Sequence, residues 1–424
     1  MNYQEFRKIA LHNTITALTI ALGCLLLVAP SMAQNYQVLY YFAGGEGGWH
    51  PWGGPTLDRA GNIYGTTAIG GAGYGDVYKL SKVGSNWVLS ILHDFVGDDD
   101  GPGPYSSLVI GPDGALYGST QAGGITDECC GTVFKLTPPA TACKSVSCPW
   151  NETILYRFQG GSDGSGAYGG IAFDQAGNIY GTTERGGGNG CTGVGCGIVF
   201  KLTNSHGQWT ESIVYSFNGN SDGAGPTSTV ILDQAGNIYG TTSSGGSAGF
   251  GAVYQLTPSG SGWSEHILYN FQNGADGRKP TGGLVMDTAG HLYGNSYYGG
   301  SGGRGVVYQL SPAGGGTWSF NLLYSFTTAG ENGGPYATLV IDSAGSLYGT
   351  TYAAGNGAGS VYKLSQSNGV WTETDLRDFE WSTGALAYGS VALDPNGHVF
   401  GVTDEGGNSH NCTGGCGVAW EITQ

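Results

Sequence analysis

The chain has 424 residues, 82 of them glycine, and a formal net charge of -16. So much glycine disfavours a helical protein, its lack of a three-residue period excludes collagen, and an acidic surface repels nucleic acid. Hydrophobic residues make up 39% and aromatic residues 12% of the chain, so enough apolar area exists to offset chain entropy. The composition predicts an all-β globular protein with many tight turns.

The first 33 residues have the pattern of a secretory signal peptide. Arg7 and Lys8 form a positive start, an apolar run covers residues 17–30, and Ser31 and Ala33 are the small residues of a cleavage site. The apolar run is short for the ~20 residues that a spanning helix needs. We therefore expect residues 34–424 to be a single domain, secreted or periplasmic, with no membrane span and no C-terminal anchor.

An internal repeat fills the rest of the chain. Its phrase is Asp-x-x-Gly-x-aliphatic-aromatic-Gly, first met at residues 58–65, and the copy at residues 111–118 lacks the leading Asp. We expect the aromatic anchors of the phrase to be buried core residues. They lie 52 to 63 residues apart and are Tyr64, Tyr117, Tyr180, Tyr239, Tyr293, Tyr348 and Phe400.

Each unit holds four strand-length runs separated by turns that contain glycine. In the fourth unit the runs are residues 227–232, 237–242, 252–256 and 263–271. A four-stranded blade cannot bury both faces alone, so seven such units predict a seven-bladed β-propeller with four antiparallel strands per blade. We place the first run of each unit innermost, because its second and third residues are small enough to crowd the axis.

Residues 37–42 (QVLYYF) stand before the first unit without a blade of their own. They match the outer run ILYNF at residues 267–271. We predict that they close the ring as the outer strand of the last blade, beside residues 418–423, because such a closure removes the free sheet edge. A stacked solenoid is the alternative, but its end units should look like polar caps.

Within the fourth unit, the repeated pattern reads Asp233-x-x-Gly236-Asn-Ile-Tyr-Gly-Thr-Thr242, then Gly245-Gly246, then Gly251-x-Val253-Tyr-x-Leu256. On these residues, which recur in all seven units, the chain resembles the GloVer tandem repeat of exported bacterial proteins. Unit six departs at the Gly-Gly step, and unit seven has Phe400 in place of the tyrosine. The resemblance implies an exported β-propeller-like repeat protein of unassigned activity.

Cysteine usage is typical of an oxidising compartment, because eight of the nine cysteines follow the leader. Two pairs sit at equivalent loop positions and could each staple one loop, and a third pair lies in an insertion of unit two. These pairs are Cys191 with Cys196, Cys412 with Cys416, and Cys143 with Cys148. Cys129 and Cys130 could bond to each other or to the insertion pair. Zinc is the rival interpretation, disfavoured because the pairs fall in separate units.

Aromatic residues recur one position after the proline or alanine that opens each inner run. Five of seven units have an aromatic there, at the predicted mouth of the central channel, and two further tryptophans stand in adjacent loops. The candidate ligand-binding residues are Trp49, Trp52, Tyr105, Tyr168, Tyr336, Trp381 and Tyr388. Such rings could stack on sugar or peptide rings. The alternative is that they plug the mouth as packing.

Acidic residues recur in the loops that lead to the inner runs. They are Asp100, Asp163, Asp222, Asp276 and Glu331, with Glu46 and Glu380 nearby. These oxygens could bind calcium, although an Asp-Gly pair also simply makes a turn. The Gly-Gly loops are not phosphate cradles, because no helix follows them, and His50 is the one histidine predicted near the mouth that could act as a base.

The sequence therefore favours a non-enzymatic, monomeric exported protein that presents a binding face to a glycan, peptide or protein and needs no cofactor. A calcium-dependent propeller hydrolase or lyase is the first alternative, so enzymatic activity stays open. A purely structural envelope protein is the second alternative.

Overall fold

Twenty-eight strands build the part of the chain that the computed structural model describes, residues 34–97, 100–126, 129–140, 149–188, 190–327, 333–353 and 357–424. The strands form seven four-stranded antiparallel sheets, the blades of a propeller. The described residues contain no α-helix, and no helix among them is long and apolar enough to cross a membrane. Three 3-10 turns are present, at Gly45–Gly47, Gly161–Asp163 and Cys191–Gly193. The predicted seven-bladed fold is confirmed.

The strand bounds follow the repeat from inner to outer strand. The chain begins with β1 at Asn35–Tyr41. Blade one is Thr56–Leu57 (β2), Ile63–Thr67 (β3), Asp76–Val83 (β4) and Asn86–Asp94 (β5). Blade two is Val109–Ile110 (β6), Leu116–Thr126 (β7), Cys129–Thr137 (β8) and Asn151–Arg157 (β9). Blade three is Ala172–Phe173 (β10), Ile179–Thr183 (β11), Ile198–Ser205 (β12) and Gln208–Ser216 (β13).

The remaining blades repeat this order. Blade four is Ile231–Leu232 (β14), Ile238–Thr242 (β15), Ala252–Ser259 (β16) and Gly262–Asn270 (β17). Blade five is Val285–Met286 (β18), Leu292–Ser296 (β19), Val306–Gly314 (β20) and Thr317–Ser325 (β21). Blade six is Val340–Ile341 (β22), Leu347–Thr351 (β23), Ser360–Ser367 (β24) and Val370–Asp378 (β25). Blade seven adds Ala392–Leu393 (β26), Val399–Thr403 (β27) and Val418–Thr423 (β28).

Blade seven takes its fourth strand from the other end of the chain. Its strand order is β1-β28-β27-β26, so β1 is the outer strand, as predicted. Tyr36 and Val38 of β1 pack against the core cluster that holds Trp420 of β28. The closure therefore combines backbone pairing with burial of apolar side chains.

The inner strands are shorter than the predicted runs. In blade four only Ile231 and Leu232 pair with β15, although the whole of residues 227–232 was expected to be a strand. The small residues before them approach the neighbouring blade instead. The Thr182 hydroxyl donates to the Ser228 carbonyl at 2.9 Å, and the Gly283 amide donates to the Thr338 hydroxyl at 2.8 Å. Contacts between blades thus replace the sheet ladder near the axis.

The aspartate of the repeat phrase holds the turn between the two inner strands. In blade one, Asp58 accepts backbone N–H groups from Ala60 and Asn62 and the hydroxyl of Tyr64, the last at 3.1 Å. The six tyrosine anchors are therefore buried rings whose hydroxyl reaches back to the turn, and the seventh anchor, Phe400, is buried without such a bond. In blade two, where the leading Asp is missing, Asp113 accepts the Tyr117 hydroxyl at 2.9 Å and an ion pair from Lys135 at 2.6 Å.

The glycine after each anchor makes room for a ring from the third strand. A Cβ at Gly240 would overlap the ring of Tyr254, which is fully buried. The same relation joins Gly65 to Tyr78, Gly118 to Phe134, Gly181 to Phe200, Gly294 to Tyr308, Gly349 to Tyr362 and Gly401 to Trp420. The core lies between blades, where such rings meet the leucine, isoleucine and valine side chains of the next sheet.

Three disulfides lie within the described residues. They join Cys191 to Cys196, Cys412 to Cys416, and Cys129 to Cys130. The first two confirm the predicted loop staples, and the third is the adjacent pair. Each disulfide packs on a glycine of the loop after the outer strand, namely Gly219, Gly44 and Gly160 respectively. Cys143 and Cys148 lie outside the described residues.

Candidate functional site

The mouth of the central channel holds a cavity of about 470 Å³. Every blade contributes to its wall through the start of the inner segment, where small residues let the seven segments converge. Among the lining residues is one equivalent position per blade: Trp52, Tyr105, Tyr168, Thr227, Thr281, Tyr336 and Tyr388. The structure thus brings five of the seven predicted ligand-binding residues together around open space, so their rings line the mouth without filling it.

The five rings form a continuous arc across blades six, seven, one, two and three. Trp52 stacks on Tyr388 with centroids 3.8 Å apart, and it meets Tyr105 edge to face at 5.3 Å. Tyr105 lies 6.0 Å from Tyr168 at one end, and Tyr388 lies 5.5 Å from Tyr336 at the other. Thr227 and Thr281 complete the circle opposite the arc. One side of the cavity is therefore aromatic and the other carries hydroxyl groups.

A second tier of side chains surrounds this circle. In six blades it is the residue that directly follows the second strand, and in blade two it lies within the longer β7. In all seven blades its backbone N–H donates, at 2.9 to 3.2 Å, to the carbonyl of the residue before the inner segment. The seven members are Ala68, Gln121, Glu184, Ser243, Tyr297, Tyr352 and Asp404. Gln121 and Glu184 line the cavity directly. This tier was not predicted from the sequence, where its signal is a variable residue three positions after the constant glycine of the repeat phrase.

The acceptor of that backbone bond usually lies in the left-handed region. Glycine serves in several blades, but His50, Lys279 and Leu386 occupy the same position with φ of 56°, 55° and 59°. A side chain with Cβ is strained in this region. In three blades, therefore, a strained backbone residue places a histidine, a lysine or a leucine next to the second tier.

His50 is paired with an acid of the second tier. Its Nδ1 lies 3.1 Å from Oδ1 of Asp404, and this hydrogen bond raises the pKa of the imidazole although burial opposes it. Burial, and then the charge of Asp404, raises the pKa of Tyr105. Burial, and then a hydrogen bond with Tyr352, raises the pKa of Tyr388. The tyrosine hydroxyls of the mouth consequently stay protonated at neutral pH and can donate hydrogen bonds.

Charge is distributed unevenly around the mouth. Glu184 and Asp404 place carboxylates in blades three and seven, whereas Arg278 and Lys279 place cations in blade five. The cations lie over tyrosine rings, Arg278 at 4.8 Å from the Tyr298 centroid and Lys279 at 6.0 Å from that of Tyr297. The aromatic surface thus extends from Tyr336 through Tyr297, 5.8 Å away, towards blade five.

Two predicted binding residues lie away from the cavity. Trp49 packs on the core cluster that contains Phe42 and Tyr78, beside His50. Trp381 is 46% exposed, and neither tryptophan is among the lining residues. Closeness in sequence to Trp52 did not predict the position of Trp49, because His50, directly after Trp49, has a left-handed backbone conformation that turns the chain.

The loop aspartates are engaged within their own loops. Asp222 accepts the Asn218 amide at 2.9 Å and the Tyr215 hydroxyl at 3.2 Å, and Asp163 and Asp276 make the equivalent bonds. Asp100 accepts the Val96 amide at 2.9 Å. None of these four lines the cavity. These bonds are those expected of turn residues, which is the simpler of the two sequence interpretations, and Glu331 lies outside the described residues.

A family model matches almost the whole chain. It is the Gloeobacter/Verrucomicrobia repeat, which matches residues 19–194, 145–333 and 265–416. No curated protein matches the chain. These matches together cover all seven copies of the repeat phrase, Asp-x-x-Gly-x-aliphatic-aromatic-Gly.

Solved structures resemble the chain in fold at low sequence identity. A fungal alcohol oxidase in complex with copper is 13% identical with a TM-score of 0.53, covering 92% of this chain and 76% of that one. A Thermus thermophilus protein assigned as an oxidoreductase (glucose dehydrogenase) is 12% identical, with a TM-score of 0.44 and coverage of 92% and 100%. The extracellular domain of a two-component system protein of B. thetaiotaomicron is 12% identical, with a TM-score of 0.47 and coverage of 92% and 43%. At these identities the likeness concerns the fold alone.

Proposed function

The chain belongs to the Gloeobacter/Verrucomicrobia repeat family, and we propose that it is an exported propeller that binds an uncharged glycan at the mouth of its central channel. The observation that carries the proposal is the aromatic arc around an open cavity of about 470 Å³. This volume falls within the usual range of about 300–1,000 Å³ for small-ligand sites.

The chemistry of the wall suits a sugar. Pyranose rings present flat C–H faces that pack on Trp52 and the tyrosines, and their hydroxyl groups need partners in the plane of the ring. Gln121, Glu184 and the hydroxyls of Thr227 and Thr281 supply such partners at the same cavity. Amphipathic aromatics with a few placed polar groups are the usual composition of such a site.

Charge argues for a neutral ligand. Glu184 lines the cavity and Asp404 lies close enough to raise the pKa of Tyr105 and Tyr388, so an anionic ligand would be repelled there. The formal net charge of -16 adds to this repulsion at long range. A neutral glycan avoids both costs and still uses the carboxylates as hydrogen-bond acceptors.

Export is part of the proposal. The leader pattern of residues 1–33 supports it, and so do the three disulfides, which persist in oxidising compartments. Mass spectrometry of the protein recovered from the producing cell tests this part. A mature N-terminus after residue 33 is expected, and an uncleaved chain kept in the cytoplasm would contradict it.

A glycan array tests the binding, followed by calorimetry with the best hit. Trp52→Ala and Tyr388→Ala should each weaken affinity by about tenfold or more, the usual effect at an aromatic hot spot. Trp381→Ala is the matched control, because it removes an exposed indole outside the cavity. The proposal fails if no glycan binds, or if all three variants bind as the unmodified protein does.

A further inference from the structure

The outer strands carry a second repeated cluster, outside the lining of the mouth cavity. A tyrosine seven residues before the loop aspartate of the same blade donates its hydroxyl to that aspartate. Tyr156 donates to Asp163 at 3.0 Å, and Tyr215 donates to Asp222 at 3.2 Å. The next blade adds a glutamate beside the pair: burial, then Asp163 and then Glu211 raise the pKa of Tyr156, and burial, then Asp163, raises the pKa of Glu211 to about 7.

Blade one replaces that tyrosine by a histidine. His93 pairs with Val77 across the sheet, as Tyr156 pairs with Val133 and Tyr215 with Val199. Its Nε2 lies 3.6 Å from Oδ2 of Asp100, the loop aspartate. It lies 3.7 Å from Oε1 of Glu152, the glutamate of blade two. One imidazole nitrogen therefore faces two carboxylates at the seam between blades one and two.

These three groups are buried and incompletely satisfied. Side-chain exposure is 16% for His93, 12% for Asp100 and 15% for Glu152. His93 Nε2, Asp100 Oδ1 and Glu152 Oε1 are shielded from solvent and make no hydrogen bond. A buried polar atom without a partner is costly. Asp100 as a whole residue is 9% exposed; its Oδ2 faces His93 and accepts the Val96 amide, and its Oδ1 is shielded from solvent.

The spacing is that of ligand atoms around a metal ion. One ligand atom from each residue lies within 4.8 Å of the others. Zinc–nitrogen and zinc–oxygen bonds of 2.0–2.2 Å with tetrahedral angles place ligand atoms about 3.4 Å apart. The observed distances from His93 Nε2 to the two carboxylate oxygens, 3.6 and 3.7 Å, are close to this spacing and too long for hydrogen bonds. The other histidine–carboxylate group is more closely spaced, because His50 Nδ1 lies 3.1 Å from Oδ1 of Asp404, within hydrogen-bond distance.

We propose that His93, Asp100 and Glu152 bind a divalent transition-metal ion of the zinc class at the seam between blades one and two. One nitrogen and two carboxylate oxygens form a borderline ligand set that suits zinc. Calcium is disfavoured, because it takes six to eight oxygen ligands. The ion would join the outer strands β5 and β9 through the loop that connects the two blades, and water would complete its coordination.

Metal titration of the full chain, stripped of metal with a chelator and dialysed, tests the proposal. Calorimetry with Zn²⁺, backed by elemental analysis after dialysis, should give an equivalent of bound metal that Ca²⁺ does not replace. His93→Tyr installs the tyrosine that blades two, three and four carry at this position, so it should fold normally and lower the zinc stoichiometry by one. Melting in the presence of Zn²⁺ should rise for the unmodified chain and not for His93→Tyr, because a ligand of the folded state stabilises it.

Two further variants complete the design. Tyr156→His places an imidazole against Asp163 and Glu211 at the next seam, so it should gain one equivalent of zinc. His50→Gln alters the other histidine–carboxylate group and should leave the His93-dependent equivalent in place. The proposal is overturned if the unmodified chain binds no zinc, or if His93→Tyr binds as much as the unmodified chain. Neither result depends on glycan binding.

Discussion

Trp52 and Tyr388 stack face to face, with ring centroids 3.8 Å apart and planes 8° from parallel. Trp52 belongs to blade one and Tyr388 to blade seven, so the closest ring pair of the mouth crosses the junction where the propeller closes. The stack joins two halves of the aromatic arc, Tyr105 and Tyr168 on one side and Tyr336 on the other. The candidate binding surface is therefore continuous across the interface between the first and the last blade.

The polar groups of the second tier should control affinity with little effect on stability. Glu184→Ala removes a charged acceptor from the cavity wall, and hydrogen bonds to charged groups contribute about 1.5–3 kcal/mol. We expect glycan affinity to fall by about ten- to a hundredfold by calorimetry. Ser243→Ala, which alters the same tier outside the cavity lining, is the control. Equal affinities for the two variants would contradict a role for Glu184.

The His50–Asp404 pair should make stability depend on pH in one direction. Because the hydrogen bond to Asp404 raises the folded-state pKa of His50 above its ordinary value of about 6.5, its stabilisation is complete below that pH. It is lost as pH rises through the raised folded-state value. The free energy of unfolding of the unmodified chain should therefore exceed that of His50→Gln more at pH 6 than at pH 9. A difference that stays constant with pH would contradict this.

The turn aspartates should make the propeller sensitive to acid. Burial alone would raise the pKa of Asp174, but hydrogen bonds from Asn178, Ala176 and Tyr180 outweigh it and lower the pKa. The stabilisation is present above the unfolded-state value of about 3.9 and is lost as pH falls through the lower folded-state value. Asp174→Asn should thus be less stable than the unmodified chain at pH 7, and the gap should shrink by pH 3 in denaturant titrations.

The glycine after the anchor tyrosine should tolerate no side chain. Gly240→Ala forces a methyl group against the buried Tyr254 ring, and overpacking of this kind costs about 1–3 kcal/mol. Gly262→Ala is the matched control, because that position opens to free space. Thermal melts of the two variants should separate them clearly. A stability of Gly240→Ala equal to that of Gly262→Ala would mean that Tyr254 moves aside freely.

Most of the fold could be predicted because each conserved side chain of the repeat phrase has the same structural role in every blade. The aspartate holds a turn, the tyrosine fills the core, and the glycine admits a ring. Position within the chain then predicted that β1 closes blade seven. The length of the inner strands could not be predicted this way, because their contacts run to the neighbouring blade, as from Thr182 to Ser228. The alternation of apolar and polar residues along one strand does not indicate contacts with the neighbouring blade.

The candidate site was predicted only where it repeats. Counting back from the turn located Trp52 and its equivalents, but Glu184 and Asp404 were missed because six different residue types occupy their position in the seven units. Trp49 was misplaced for the opposite reason, since it is close in sequence to Trp52 but packs in the core. The sequence shows His93 at a position that is tyrosine in other blades, but only the structure shows that Glu152 of the next blade lies beside it.

The pairing of β1 with β28 also constrains the order in which the blades can fold. β1 begins at residue 35 and β28 ends at residue 423, so this pairing spans almost the whole described chain. The other six blades each pair strands that are neighbours in sequence, whereas β1 keeps unpaired backbone groups until β28 forms. Such long-range pairing is slow and leaves a sheet edge open to other chains. The protein would therefore benefit from a chaperone that covers β1 until β28 has formed.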